Sequence, residues 1–172
     1  MAKRKILTDN DPTLRTVCRP VPRITPRIIT LLDDMIETMR DANGVGLAAP
    51  QVGVLLRAVV IETEPGQVWE LINPEIIETS GEQEGSEGCL SLPGRSGHVK
   101  RPNYVKVKAL NRNGEEYVLE GTELLARAIC HETDHLDGRL YVDVAEYMYA
   151  PEDEEEERVS PRLRKYARKR DK

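Results

Sequence analysis

His131-Glu132-Thr133-Asp134-His135 places two histidines four residues apart around a glutamate. On a helix that spacing puts both imidazoles on one face, where they can share one metal ion with the glutamate beside them as a base. The neighbouring residues fit such a helix. Leu124, Ala128, His131 and His135 fall on one face, and Leu125, Ile129, Glu132 and Leu136 form the stripe next to it. Glu132 thus stands among apolar neighbours, whereas a His/Glu pair that only decorated a surface helix would stand among polar ones. Zinc or ferrous iron at such a site needs a third protein ligand and keeps one position for water.

The third ligand is open on spacing alone. A Gly-x-x-His continuation fails, because Gly138 is present but position 141 is Tyr. A distant glutamate would fall near Glu154, inside an acidic run expected to be solvated. Cys130 adjoins His131 and points about 100° away around the helix. Cys18 lies in an Arg/Pro-rich stretch that reads as surface, where it would be a small apolar filler. His98 and Cys89 remain. Cys89 stands in Glu87-Gly88-Cys89-Leu90-Ser91-Leu92-Pro93-Gly94, where Gly88 permits close backbone approach and Pro93-Gly94 ends the segment. A cysteine on a rigid strand can supply a ligand, and the backbone N–H after it can donate to a developing oxyanion. Taken alone, this segment suits a buried structural thiol equally well.

The elements that must position these groups are punctuated clearly. Asp11-Pro12 opens a short helical turn, and Thr25-Pro26 opens a longer helix with Ile28, Leu31, Leu32, Met35 and Met39 at helical spacing. It ends near Asn43-Gly44, which supply a left-handed exit. Gly44 to Gly53 shows neither helical nor strand periodicity and reads as a specialised loop. From Arg57 to Glu120 the residues favour strands: Ala58–Ile61, Val68–Ile72, and Tyr104–Lys108, joined through an Asn111–Gly114 turn to Glu116–Leu119. Gly121-Thr122 opens the helix of the histidines, which Gly138 stops. Strands meeting through short turns predict an α+β fold with antiparallel sheets rather than parallel strands with helical crossovers.

The chain of 172 residues has 25 Lys+Arg against 30 Asp+Glu, a formal net charge of −5 and 39% hydrophobic residues. That composition fits one soluble domain and excludes a largely disordered chain. No apolar run approaches the ~20 residues of a membrane helix, and the basic start lacks the apolar stretch of a signal peptide. Three cysteines do not make a disulfide framework, so the expected compartment is the cytoplasm, with neither membrane nor DNA as partner. Residues 1–150 are expected to form the catalytic domain. Residues 151–172 form a charged tail: Glu152–Glu157 are all acidic, and Arg158–Lys172 carries eight basic residues and one acid. That basic stretch could form a helix.

Gly44-Val45-Gly46-Leu47-Ala48-Ala49-Pro50-Gln51, Glu87-Gly88-Cys89-Leu90-Ser91 and His131-Glu132-Thr133-Asp134-His135-Leu136 resemble, in order and separation, the three signature motifs of the peptide deformylase family. The similarity covers about the first 145 residues. It implies antiparallel sheets packed around a central metal-binding helix. It further implies Cys89, His131 and His135 as metal ligands, Glu132 as general acid/base, and Gln51 (side-chain amide) and Leu90 (backbone N–H) as oxyanion donors. Gly46, with Val45, would hold the substrate backbone extended. The implied reaction removes the N-formyl group from the formylmethionine of new polypeptides, releasing formate. Fe(2+) is the implied metal, with Ni(2+), Co(2+) or Zn(2+) able to replace it, and the ribosome is an implied partner through the basic tail. Cys130 departs from the family, which usually has Gln before the first histidine. The resemblance does not decide whether Arg95 or Arg101 touches substrate.

Overall fold

The computed structural model describes residues 2–150; the acidic run, Glu154 and the basic tail lie outside the described residues. Helix α1 spans Pro26–Asp41, followed by strands β1 (Gly46–Ala48), β2 (Ala58–Glu64), β3 (Gln67–Ser80), β4 (Gln83–Cys89), β5 (Leu92–Arg101), β6 (Tyr104–Leu110) and β7 (Glu116–Thr122). Helix α2 spans Glu123–Leu136, and a short β8 (Tyr147–Met148) comes last. The strands form a five-stranded sheet in the order β1-β2-β3-β6-β7 and a three-stranded sheet in the order β4-β5-β8. Every pairing within them is antiparallel, as the short turns predict.

Strand β2 explains how both helices are held. Its successive side chains point to opposite faces. Val59 and Ile61 join Leu71, Val107 and Leu119 under Ala126, Ile129 and Leu136 of α2. Ala58 and Val60 instead meet Leu32, Met35 and Met39 of α1 on the other face. The five-stranded sheet therefore lies between the two helices, and β2 is buried on both sides. The opposite flank of α2 meets β4 and β5 through charged side chains: Arg127 and His131 bond Glu87, and Asp134 bonds Arg101.

Two expectations from the sequence need correction. Gly44–Gly53 is not all loop: Gly46–Ala48 pairs with β2, and Ala49–Val52 is a single 3-10 turn. A strand of three residues is too short to show a period. Pro93-Gly94 does not end its segment. The chain reverses at Leu90-Ser91, Cys89 pairs with Leu92, and β5 runs on to Arg101. Strands β4 and β5 went unread because glycine and charged residues fill them. Cys18 is a small apolar filler as expected: its neighbours Val17 and Arg19 are exposed, while it is buried in the core under α2, its backbone N–H bonded to the Leu136 carbonyl at 2.8 Å.

Candidate metal centre

Three elements bring the chemically capable residues together. α2 supplies His131, Glu132 and His135, β4 supplies Cys89 at its last residue, and the turn after β1 supplies Gln51. One ligand atom from each of Cys89, His131 and His135 lies within 4.8 Å of the others. Cys89 Sγ is 3.4 Å from His135 Nε2. His98, the other third-ligand candidate, is elsewhere. It stacks on Tyr147, contacts Tyr149 Oη through Nδ1 at 2.9 Å, and groups with Glu84 and Glu146, whose carboxylates Lys100 already bridges at 3.4 and 3.1 Å. Cys130 packs into the core, and burial pushes its thiol up to about 11, so it is neither aimed at the site nor readily a thiolate.

The donor set fits a divalent cation. Glu132 Oε2, beside the cluster, is buried with no hydrogen-bond partner among the described residues, and an orphaned buried polar atom is costly unless something absent from the chain meets it. Burial acts against charge on His131, yet Cys89 and Glu87 hold its imidazole up at about 10. His135, in contrast, is held well below the usual imidazole range, by burial first and by His131 and Arg101 next, so it stays neutral and able to offer a lone pair. One thiolate with two imidazoles suits zinc, ferrous iron, nickel or cobalt.

Behind the ligands stands a charged clamp that the sequence did not reveal. Glu87 is buried and accepts from Arg101 Nε and Nη2 at 2.9 and 3.0 Å and from Arg127 Nη1 at 2.6 Å. Its other contact is His131 Nδ1 at 2.7 Å. Burial would raise the Glu87 carboxyl, but the bonds from His131 and Arg101 outweigh it and hold it at about 2. An ionised Glu87 fixes the ring of His131 and directs Nε2 toward Cys89 and His135, as an outer partner of a metal ligand does. Arg101 also donates to Asp134 at 2.8 Å, while Arg95 pairs with Asp9 at the surface, 2.8 Å apart. Neither arginine lines the recess described next; Arg127 does.

A recess of about 360 Å³ opens beside the cluster, walled by Val45, Leu90, Leu124, Ala128 and Arg127, with Gly46, Gln51 and Glu132 at its inner side. Burial lifts the Glu132 carboxyl to about 7, only partly offset by His131. A group in that range can take and return a proton near neutral pH. Gly46 packs against Glu132 so closely that an added Cβ would lie 2.7 Å from Oε1 and 2.8 Å from Cγ. Gln51 is fully buried and fixed: Oε1 accepts from the Ala48 N–H at 2.9 Å, and Nε2 donates to Ser91 Oγ at 3.0 Å and faces Cys89 Sγ at 3.5 Å. Thus Cys89, His131, Glu132, Gln51, Leu90, Gly46 and Val45 line one recess, and His135 stands beside Cys89, just outside that lining. Glu87 and Arg127 line it too, while Arg101 acts through Glu87 and Ser91 through Gln51. Glu87 and Ser91 had a signal in the motif around Cys89, and Arg101 was open as a substrate contact; Arg127 had none.

Comparison with known proteins agrees with this geometry. A family model described as polypeptide deformylase matches residues 3–149. A peptide deformylase of Agathobacter rectalis is 60% identical over 146 residues, covering 85% of this chain and 92% of the relative. One of Alkaliphilus metalliredigens is 62% identical over 143 residues, covering 83% and 97%. Among solved structures, a peptide deformylase from Legionella pneumophila superposes with a TM-score of 0.81 at 42% identity, covering 98% of this chain and 92% of that one. One from Synechococcus elongatus in complex with actinonin gives 0.80 at 40% identity, covering 85% and 84%.

Proposed function

The chain belongs to the polypeptide deformylase family and removes the N-formyl group from newly synthesised polypeptides, and we propose that Cys89, His131 and His135 hold its metal while Glu132 moves the proton. The observation that carries this reading is the convergence of those three ligand atoms beside the partnerless Glu132 Oε2. When bound there, a divalent ion lowers the pKa of water from 15.7 toward ~7 and polarises the carbonyl. The residues of the chain do the rest.

Glu132 takes the proton of the attacking water and delivers it to the amine nitrogen as the formyl C–N bond breaks, giving formate and a free N-terminus. The Gln51 amide and the Leu90 N–H donate to the carbonyl oxygen as it gains charge, each contributing about 2.7–4 kcal/mol, or 10²–10³ in rate. Gln51 costs no reorganisation, since Ala48 and Ser91 already hold it. Val45 and Gly46 on the β1 edge bind the substrate backbone as an added strand. The methionine side chain enters the recess between Leu124, Ala128 and Val45, where its flexible thioether suits an irregular apolar wall. A formyl group carries only hydrogen on its far side, so a tight site can exclude an acetyl methyl.

Residues 1–150 carry the whole activity in this reading. The family is metal-dependent, and the resident metal proposed here is Fe(2+), whose thiolate ligand makes the site oxygen-sensitive. Activity lost in air by the iron form and kept by the nickel form supports iron; equal stability of both contradicts it. The basic stretch Arg158–Lys172 is proposed to meet the ribosome electrostatically. Truncation after Pro151 should then weaken ribosome binding in a salt-dependent way and leave peptide turnover intact; unchanged binding removes the idea. The compartment proposed is the cytoplasm, and no helix among the described residues is long and apolar enough to cross a membrane. The reaction itself is tested with formyl-Met-Ala-Ser against acetyl-Met-Ala-Ser. Formate release without acetate release is expected, and cleavage of an internal peptide bond instead would overturn the assignment.

A further inference from the structure

A second cavity, about 480 Å³, opens beside the start of α1 and shares no lining residue with the recess of the metal centre. Arg4, Arg19, Arg23 and Arg27 line it. Arg4 is held by Asp34, Nε to Oδ2 at 3.0 Å. Arg19, Arg23 and Arg27 are exposed, and none has an ion pair or side-chain hydrogen bond among the described residues. The cluster runs against the charge of the chain: residues 1–31 contain seven Lys/Arg and two Asp, although the whole carries −5.

The frame under these arginines is rigid. Arg19 bridges to Leu56, with its N–H donating to the Leu55 carbonyl at 3.1 Å and its carbonyl accepting from Arg57 at 2.9 Å. Asn73 clasps the Val21 backbone from both sides at 2.8 and 2.9 Å. Helix α1 starts here without a side-chain cap from Thr25, so its positive end adds to the same field. Beneath the charge the floor is apolar, with Leu31, Val54 and Leu56.

We propose that this cavity binds a nucleotide unit of single-stranded RNA, its phosphates on the free guanidiniums and its base against the apolar floor. Planar guanidiniums match phosphate oxygens in pairs and stack on bases. A simple anion would leave the floor unused, and the volume suits one nucleotide. The inference rests on the nascent-chain reading above, because nascent chains are presented on an RNA-rich particle.

The test is fluorescence anisotropy of labelled decauridylate with the full chain at 50 and 200 mM KCl, beside the pair Arg19→Glu/Arg23→Glu and the milder pair Arg19→Ala/Arg27→Ala. The two phosphates flanking one seated nucleotide contribute about −1.4 to the log–log salt slope, a roughly 7-fold loss between the two salts. Both variants should bind more weakly, with a slope shallower than the wild type's by up to about 1.4 whatever Arg158–Lys172 adds to all three proteins, while formate release from a short formyl peptide stays unchanged. Equal binding by the variants overturns the proposal and moves RNA affinity to another basic stretch. No binding by the wild type overturns it as well, and competition by uridine monophosphate at the same concentration as the decamer reassigns the cavity to free nucleotides. Failed RNA binding with formate release intact removes only this inference. Failed formate release removes the function beneath it.

Discussion

Replacing Gly46 by Ala should damage turnover through Glu132 and leave the fold standing. The new Cβ would lie 2.7 Å from Oε1, 2.8 Å from Cγ and 2.9 Å from Cδ of Glu132. An ordinary contact begins near 3.4 Å, so the carboxyl group must retreat by about 0.7 Å (3.4 − 2.7). The tip cannot simply swing aside, because Cγ is hit as hard as the oxygen and the side chain is buried. A misplacement on the order of 1 Å costs about 10² in rate, or ~2.7 kcal/mol, and outright loss of a general base costs about 10²–10⁴. The assay is kcat and KM for formyl-Met-Ala-Ser in Gly46→Ala, Glu132→Ala and the double variant, each with its metal content measured. The single Gly46→Ala should lose about 10² in kcat, and the double variant should be no worse than Glu132→Ala, since both act through one carboxylate. Turnover by Gly46→Ala within a few-fold of wild type would refute the reasoning, as would a double variant that loses the product of both effects.

The clamp behind the ligands gives two further expectations. Glu87→Gln leaves Arg127 buried without its counter-charge and Arg101 with Asp134 alone, and breaking such a buried pair typically costs 3–5 kcal/mol, or about 6–20 °C in Tm; it should also loosen the metal about 10–100-fold in a chelator titration. A variant that melts with the wild type would contradict a structural role for Glu87. Because the Glu87 carboxyl is held at about 2 instead of 4.5, the folded state resists protonating it; that stability is complete above pH ~5 and disappears as pH falls from 4.5 toward 2. Urea unfolding along that range should show a loss of roughly 3 kcal/mol that is absent in Glu87→Gln. Gly138→Ala should destabilise by more than 2 kcal/mol, roughly the strain at a left-handed position plus a backbone clash. Its φ is 72°, and a Cβ there would meet the Arg15 carbonyl oxygen at 2.6 Å. Gly66→Ala, at φ 85° with nothing within 4 Å, should cost only about 1 kcal/mol, and equal effects in urea unfolding would sink the distinction.

What the sequence made legible follows from local physics. Pro26, Asn43, Gly114 and Gly138 mark where helices and turns begin and end, and the apolar period of α1 and α2 holds over three or more turns. The four-residue spacing of His131 and His135 needs no tertiary information. Strand β4 is the opposite case. Gln83-Glu84-Gly85-Ser86-Glu87-Gly88-Cys89 has no β-branched residue, and its one fully buried position is a glutamate. Its inward face reads as polar because Arg101 and Arg127 come from β5 and α2 to neutralise it. No local propensity encodes a salt bridge between elements 14 and 40 residues apart. For the same reason the choice between Cys89 and His98 lay beyond spacing: both sit on the three-stranded sheet, and only the reversal at Leu90-Ser91 turns Cys89 toward α2.

The most direct test of the site is metal content and formate release measured on the same anaerobic preparations of wild type, Cys89→Ala and Glu132→Ala. The wild type should hold one divalent ion and release formate, Cys89→Ala should lose the ion, and Glu132→Ala should keep the ion with turnover down at least 10²-fold. A Cys89→Ala protein that retains its metal, or a Glu132→Ala protein that turns over normally, would contradict the assignment of ligand and base.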